Sequence, residues 1–173
     1  EIDSAIHRVI EDTAFVRGPY VECFEREFAE TIGVKNVVSC ANGTDAIYIA
    51  LKALGIGHGD EVITVANSWI STSETISQTG AKPVFADIHP DHYTIDVSLV
   101  ERLVTSKTKA IVPVHLYGQP AEMDRLLELC RSRGLALVED CAFMMNGLSW
   151  VGRHHQQSPS MIWKPDKPCP QSA

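Results

Sequence analysis

The sequence predicts an α/β protein of three layers, in which a mainly parallel sheet lies between helices on both faces. Two observations lead to this fold class. Strand-like and helix-like segments alternate at regular spacing from about residue 36 onward, and strands that are separated by crossover helices pair in parallel. The strand-like run LALV at residues 135–138 is apolar without interruption, which is typical of a strand that is covered on both faces.

Five short apolar runs predict the strands of this sheet. They are residues 34–40, 61–65, 82–88, 109–115 and 135–140. Ligands of parallel α/β sheets bind beyond the carboxyl ends of the strands. The residues that follow each strand are therefore the first candidates for a functional site.

Five helices are predicted between and before the strands, in residues 21–32, 44–54, 69–79, 96–104 and 121–134. The segment 44–54 is apolar nearly all round and is expected to be buried. Asp96 is the predicted N-cap of its helix, and Gly134 is placed to end the last one. That last helix carries one apolar stripe, formed by Met123, Leu126, Leu127 and Cys130.

Composition narrows the class of protein. The chain has 173 residues, 45% hydrophobic and 21% charged, which predicts one domain or a piece of a larger one. The net charge of −7 argues against nucleic acid or an anionic membrane as partner, and no apolar run of about 18 residues predicts a membrane span. The five scattered cysteines predict buried thiols in a cytoplasmic protein, without a zinc site or any other metal.

The stretch ANGTDAI at residues 41–47 lies between a predicted strand and a predicted helix. Its glycine allows a tight turn, and the first N–H groups of the helix lack partners, so this terminus can bind an anion with help from the Thr44 hydroxyl. The alternative is a plain turn with Asn42 or Thr44 as N-cap. The spacing of a P-loop is absent.

Trp69 and Asp140 follow two other predicted strands. An aromatic side chain at the end of a strand can stack on a planar ligand, although it can equally be a core residue or an interface anchor. A carboxylate in the position of Asp140 can hold a positively charged ring nitrogen, and the alternatives for it are an N-cap or a solvated acid.

The stretch HLYGQPAEM at residues 115–123 follows the fourth predicted strand. His115, Tyr117 and Gln119 can line a cleft there, with His115 as a general base. Alternatively, Gly118 and Pro120 only mark the turn before the next helix.

In this order, these segments resemble the DegT/DnrJ/EryC1/StrS family of sugar aminotransferases, which use pyridoxal phosphate on an aspartate-aminotransferase-type fold. The resemblance runs from about residue 15 to residue 142. It rests on GPYVECFEREFAETIGV (18–34), ANGTDAIYIALKALGIGHGDEVI (41–63), TGAKPVFADIHPDHYTID (79–96), TKAIVPVHLYGQPAEMD (108–124) and GLALVEDCA (134–142).

The resemblance implies a role for five residues. Gly43, Thr44 and Asp45 would hold the phosphate of pyridoxal 5'-phosphate, chiefly through backbone amides and the Thr44 hydroxyl. Trp69 would stack on the pyridine ring, and Asp140 would bond its nitrogen. The implied reaction transfers an amino group, usually from glutamate, to a keto-sugar on a nucleotide diphosphate, in a homodimer with shared active sites.

The sequence departs from the family after Ala142. The family has a glutamine where this chain has Phe143, and further on a serine followed five residues later by the lysine that holds the cofactor covalently. Lys164 would pair with Pro159, and Lys167 with Ile162, so neither lysine has the expected serine.

We therefore expect residues 1–142 to be the N-terminal part of the aminotransferase large domain and residues 143–173 to be an aberrant or disordered tail. The chain as it stands is expected to be inactive. Some family members lack the lysine, use a histidine in its place and act as dehydratases; His154 and His155 are the nominal candidates for such a histidine here. The alternative from another class of function is a non-enzymatic α/β domain that binds an anion or a partner protein.

Overall fold

The computed structural model describes residues 1–142. These residues fall into two compact units, residues 1–39 and residues 40–142. The predicted tail, including Phe143, His154, His155, Lys164 and Lys167, lies outside the described residues. The expectation about residues 143–173 therefore stays a prediction.

The first unit contains two helices, α1 (Ile2–Glu11) and α2 (Pro19–Ile32). The prediction of a helix over residues 21–32 is confirmed, while α1 was not predicted. Proline suits the first turn of α2 because its missing N–H would be unpaired there in any case. Gly33 ends the helix in the left-handed conformation, which glycine adopts at little cost.

The predicted strand over residues 34–40 is wrong. The segment has no regular secondary structure and forms no ladder with any described strand, and the side chain of Val38 is exposed. The N–H and the hydroxyl of Ser39 both donate to Glu25 Oε1 at 2.7 Å. An apolar run becomes a strand only where a neighbouring strand pairs with its backbone. Here the Ser39 N–H is bonded instead to the side chain of Glu25 in α2.

The second unit is built on four parallel strands in the order β2-β1-β3-β4. Their bounds are β1 (Glu61–Val65), β2 (Lys82–Ala86), β3 (Thr108–Val112) and β4 (Ala136–Leu137). The predicted mainly parallel sheet is thus confirmed. The prediction over 135–140 is longer than β4, but a bridge between Val114 and Asp140 continues the pairing past Leu137.

Helices cover both faces of the sheet, as predicted. On one face, α3 (Gly43–Ala53) and α4 (Ser71–Gln78) pack on Val62, Ala110 and Val112. On the other face, α5 (Val97–Leu103) and α6 (Met123–Arg133) pack on Ile63, Val65 and Ile111. Since neighbouring strand residues point to opposite faces, β1, β3 and β4 each supply residues to both cores, whereas β2 supplies only the core under α5 and α6.

The burial of two helices differs in detail from the prediction. Only Ile47 and Leu51 of α3 are buried, and Ile49 is exposed, because one side of this helix does not face the sheet. In α6 the predicted stripe holds, except that Leu129 is buried where Leu127 is only half-buried.

Two predicted caps are confirmed within this unit. The Asp96 side chain accepts a bond from the N–H of Ser98 at 2.8 Å and begins α5, and Gly134 ends α6 in the left-handed conformation. Among residues 1–142, none of the helices combines the length and apolar character that crossing a membrane requires.

Candidate functional site

The candidate site lies at the edge of the sheet where the strands end. The loop after β1 carries Trp69, the loop after β3 carries His115, and Asp140 follows β4. Helix α3 precedes β1 and crosses back over the sheet, so its first residue, Gly43, also lies at this edge. The topology therefore brings together the residues that the sequence singled out.

The start of α3 leaves two backbone donors available. Asn42 is the N-cap: its Oδ1 accepts from the N–H of Asp45 at 2.9 Å, and its backbone oxygen accepts from Ala46. No hydrogen bond within residues 1–142 uses the N–H groups of Gly43 and Thr44. The predicted cap at Asn42 and a place for an anion are therefore compatible, because the cap satisfies only the later donors of the first turn.

Asp45 differs from Gly43 and Thr44 in that its backbone N–H has a hydrogen-bond partner. Its N–H is already bonded to Asn42, and its carboxylate accepts a bond from Asn42 Nδ2 at 3.1 Å. The backbone amide through which Asp45 was predicted to hold a phosphate is thus occupied in this arrangement. Its carboxylate lies in the first turn of α3, where negative charge stabilises a helix.

Space is open beside Gly43. A Cβ atom built on this residue would meet no atom within 4 Å, so the described chain leaves room for a side chain at this position. The Thr44 hydroxyl lies next to this space and donates to Ser71 Oγ at 2.8 Å. That bond joins the first turns of α3 and α4.

Trp69 is 71% exposed at the end of the loop between β1 and α4. Among the described residues the Trp69 side chain is therefore not part of the hydrophobic core, which leaves stacking on a ligand and the alternative of an interface anchor. An exposed indole at the carboxyl edge of a parallel sheet offers a flat apolar face to a ligand or to another surface.

Asp140 is buried, with only 8% of its surface exposed. Its Oδ2 accepts a bond from the Thr72 hydroxyl at 2.8 Å, and its Oδ1 accepts from the N–H of Ala142 at 3.2 Å. Its backbone is held by the segment that follows β3, since the Asp140 N–H donates to the Pro113 oxygen and the Asp140 oxygen accepts from the His115 N–H. The alternative of a solvated acid is therefore excluded, and the carboxylate faces α4.

The neighbouring acid, Glu139, points to the other face of the sheet. Its Oε2 lies 3.0 Å from His115 Nε2. The other ring nitrogen of His115, Nδ1, accepts the N–H of Ala121, just before α6, at 3.2 Å. The two acids at the end of β4 thus separate, as the alternation of a strand requires.

This geometry corrects the prediction that His115 is a general base. Because Nδ1 accepts the Ala121 amide, the proton of the neutral ring sits on Nε2, which donates it to Glu139. The side chain is only 1% exposed, and both nitrogens are bonded. His115 therefore connects β3, β4 and the start of α6 and has no lone pair for a substrate proton.

His115, Glu139 and Cys141 also form the one group of potential metal ligands found among residues 1–142. Their donor chemistry does not suit a metal ion. His115 Nε2 carries a proton for as long as Nδ1 accepts the amide of Ala121. The pKa of the Cys141 thiol is raised to about 12, first by burial of the sulfur and then by Glu139 and Asp140, whereas metal binding uses the thiolate. Cys40 is an exposed residue, so the prediction of buried thiols fails for it.

The other predicted cleft residues lie apart from Asp140. Tyr117 is exposed and has a positive φ of 56°, so it marks the turn. Gln119 lines a pocket of about 320 Å³ between the loops that follow β2 and β3, together with His92, Thr94 and the start of α6. None of the five predicted cofactor residues lines this pocket.

Sequence reasoning missed three polar residues of this edge. Thr72 is hydrogen-bonded to Asp140, and Ser71 is hydrogen-bonded to Thr44. The third residue is Asn67, whose buried Oδ1 accepts no hydrogen bond from the described residues. The signal was present in the polar run NSWISTSET at residues 67–75, which has three hydroxyl residues within one helical turn after the tryptophan.

Solved structures share this fold. DesV from Streptomyces venezuelae has a TM-score of 0.80 and 46% identity, over 81% of this chain and 38% of that chain. The protein ntda from Bacillus subtilis, solved with the bound cofactor pmp, has a TM-score of 0.79 and 36% identity, over 81% of this chain and 32% of that one. The fold is that of the pyridoxal-phosphate-dependent aminotransferases.

The chain belongs to the DegT/DnrJ/EryC1/StrS aminotransferase family, whose family model matches residues 1–155. The match extends beyond the quoted motifs at both ends. The UDP-2-acetamido-2-deoxy-3-oxo-D-glucuronate aminotransferase of Pseudomonas aeruginosa is 43% identical over 153 residues, which are 88% of this chain and 42% of that relative. The cofactor of this family is pyridoxal phosphate. The chain spans about two fifths of the length of the relatives that it matches.

Proposed function

We propose that residues 40–142 form one part of the cofactor site of a pyridoxal-phosphate-dependent aminotransferase that acts on a nucleotide-linked keto-sugar. The observation that carries the proposal is the buried, hydrogen-bonded carboxylate of Asp140 at the carboxyl edge of the sheet. It faces α4, on the same side of the sheet as the open start of α3. The described residues fit the two ends of such a cofactor.

The phosphate end is proposed to bind at the start of α3. The N–H groups of Gly43 and Thr44 are donors there, the region beside Gly43 has room, and the partial positive charge of the helix terminus favours an anion. The Thr44 hydroxyl can turn from Ser71 to the anion, while Ser71 keeps a hydrogen of its own to donate. Asp45 supports the terminus by its bonds to Asn42.

The ring end is proposed to lie between Trp69 and Asp140. The exposed indole offers a stacking face, and the carboxylate stabilises a proton on the pyridine nitrogen through a charge-assisted hydrogen bond. When bound, the cofactor supplies an electron sink for the bonds at the amino-bearing carbon. In this proposal Asp140 keeps the ring nitrogen protonated, and its burial strengthens that interaction.

The substrate class is proposed from the relatives. The matching curated proteins include aminotransferases named for UDP-linked and dTDP-linked sugars, and glutamate is the proposed amino donor. A homodimer with shared active sites is the proposed assembly, in keeping with the family expectation. The identity of the sugar is not part of the proposal.

The 173-residue chain is proposed not to turn over. The serine-to-lysine pattern that places the covalent lysine is absent around Lys164 and Lys167. This chain is therefore expected to bind the cofactor without catalysing transamination, and cofactor binding is the property to test.

The test uses Trp69 as a reporter in a chain whose other two tryptophans are changed, Trp150→Phe/Trp163→Phe. Pyridoxamine 5'-phosphate is expected to quench Trp69 fluorescence saturably, because its ring stacks on the indole. Inorganic phosphate should relieve the quenching by competing at the α3 terminus. A chain that is folded by circular dichroism and shows no saturable quenching contradicts the proposal and favours the non-enzymatic alternative.

A further inference from the structure

We propose that Thr72 is a positioning residue, which holds the carboxylate of Asp140 in one orientation toward the ring nitrogen of the cofactor. This inference rests on the proposed function. Thr72 lies 68 residues before Asp140 in the sequence and is only 1% exposed. Its hydroxyl donates to Asp140 Oδ2 at 2.8 Å.

The direction of the hydrogen bonds around Thr72 follows from its single hydrogen. That hydrogen goes to the carboxylate, which as an anion has none to offer. The contact of 3.4 Å between the hydroxyls of Ser68 and Thr72 therefore has Ser68 as its donor. The result is a chain from Ser68 through Thr72 to Asp140, in which each bond polarises the next.

The carboxylate plane of Asp140 is fixed from two sides. Thr72 holds Oδ2 from α4, and the N–H of Ala142 holds Oδ1 from the segment after β4. Each carboxylate oxygen has a second lone pair, so one more donor can still be accepted. Without Thr72, a single donor at 3.2 Å would remain, and the carboxylate would be free to rotate about its last bond.

A neutral hydroxyl suits this task better than a cation. A lysine or arginine beside Asp140 would compensate its charge and compete with the protonated ring nitrogen. No ion pair of Asp140 is present among residues 1–142. Thr72 stabilises the orientation of the carboxylate and leaves its charge for the ligand.

A hydrogen-bonded turn joins Trp69, in the loop before α4, to Thr72 in the first turn of α4. The N–H of Thr72 donates to the backbone oxygen of Trp69 at 3.3 Å, and the Thr75 hydroxyl donates to the backbone oxygen of Thr72 at 3.1 Å. The stacking face and the residue that orients Asp140 are therefore joined by one hydrogen-bonded turn. A shift of this turn would change both contacts to the ring together.

The test compares two ligands that differ at one ring atom. Pyridoxamine 5'-phosphate has the ring nitrogen, and its 1-deaza analogue has a C–H group there. Thr72→Val keeps the shape of the side chain and removes the hydroxyl, and Thr72→Ser keeps the hydroxyl. We expect Thr72→Val to weaken the binding of pyridoxamine 5'-phosphate about 10-fold and the binding of the analogue by less than about twofold. Thr72→Ser should return the ratio of the two affinities to that of the unchanged chain.

Thr79→Val is the matched control, since it removes a buried hydroxyl at the C-terminal end of the same helix without touching Thr72 or Asp140. It should leave the ratio of the two affinities as it is in the unchanged chain. Equal weakening of both ligands by Thr72→Val would show a purely structural role and overturn the inference, as would no weakening at all. If the unchanged chain binds neither ligand, the proposed function itself fails, which is a distinct result.

Discussion

The hydroxyl of Thr44 donates to Ser71 Oγ at 2.8 Å across 27 residues of sequence. This bond joins the first turns of α3 and α4, which both begin at the carboxyl edge of the sheet. The next residue of α4, Thr72, is bonded to Asp140 after β4. Two adjacent residues of α4 therefore contact the proposed phosphate position and the proposed partner of the ring.

The Thr44 hydroxyl is expected to contribute to binding of the cofactor phosphate. Thr44→Val should weaken the binding of pyridoxamine 5'-phosphate by about 5- to 10-fold, because one hydrogen bond to an anion is lost. Thr44→Ser should bind like the unchanged chain. Calorimetric titration measures both, and Ser77→Ala at the exposed far end of α4 is the control. Equal affinity of Thr44→Val and Thr44→Ser would exclude the hydroxyl from the site.

The space beside Gly43 is expected to be occupied by phosphate. Gly43→Ala should leave the free energy of unfolding nearly unchanged, because the new Cβ meets no atom within 4 Å, yet it should lower phosphate affinity by filling that space. Urea unfolding and competition by inorganic phosphate measure the two effects. Gly57→Ala is the matched control, because Gly57 lies away from this helix terminus and its new Cβ would make an ordinary contact of 3.6 Å with the Thr79 backbone oxygen. Unchanged phosphate competition in Gly43→Ala would place the anion elsewhere.

His115 is expected to act through structure. His115→Leu leaves the buried N–H of Ala121 without its acceptor and should lower the free energy of unfolding by about 1–3 kcal/mol. His115→Asn can offer its Oδ1 to the same N–H and should lose less. Urea unfolding measures the difference. If both variants unfold at the same urea concentration as the unchanged chain, the structural role of His115 is contradicted.

Glu61 gives the fold a pH dependence that is separate from the site. The hydroxyl of Thr105, 2.7 Å from Oε2, lowers the pKa of Glu61 from 4.5, and Lys82 adds to the effect. A lowered folded-state pKa means that the stabilisation is present above the unfolded value and is lost as pH falls through the folded one.

The stability lost in Glu61→Gln should therefore be constant above about pH 6 and should shrink below about pH 4. Urea unfolding across this range measures it. High salt should change the result little, because the main cause is a hydrogen bond to a neutral group. A difference that grows toward low pH would contradict the assigned cause.

The alternation of segments was enough to predict the sheet and the helices on both of its faces. It failed for residues 34–40, where apolar character was present but no neighbouring strand was, and pairing is a property of the whole fold. It also could not predict the direction in which the acids after β4 point. Glu139 and Asp140 are adjacent in the sequence and serve opposite faces, and the contacts that decide this come from His115 and Thr72.

The candidate site was predictable to a similar extent. The position of Asp140 and Trp69 at strand ends follows from the periodicity of the sequence, and their roles were implied by the family resemblance. Thr72 was not predictable, because its partner is 68 residues away and threonines are common in exposed helical turns. His115 was misjudged as a base because its two hydrogen bonds depend on the fold and not on its neighbours in the chain.

The central claim is that Asp140 bonds the ring nitrogen of the cofactor. Calorimetric titration of pyridoxamine 5'-phosphate into the unchanged chain and into Asp140→Asn tests it most directly, with circular dichroism to establish that both are folded. The account predicts saturable binding that Asp140→Asn weakens by about 10- to 100-fold, since a charge-assisted hydrogen bond becomes a neutral one. Equal affinity of the two chains would contradict it.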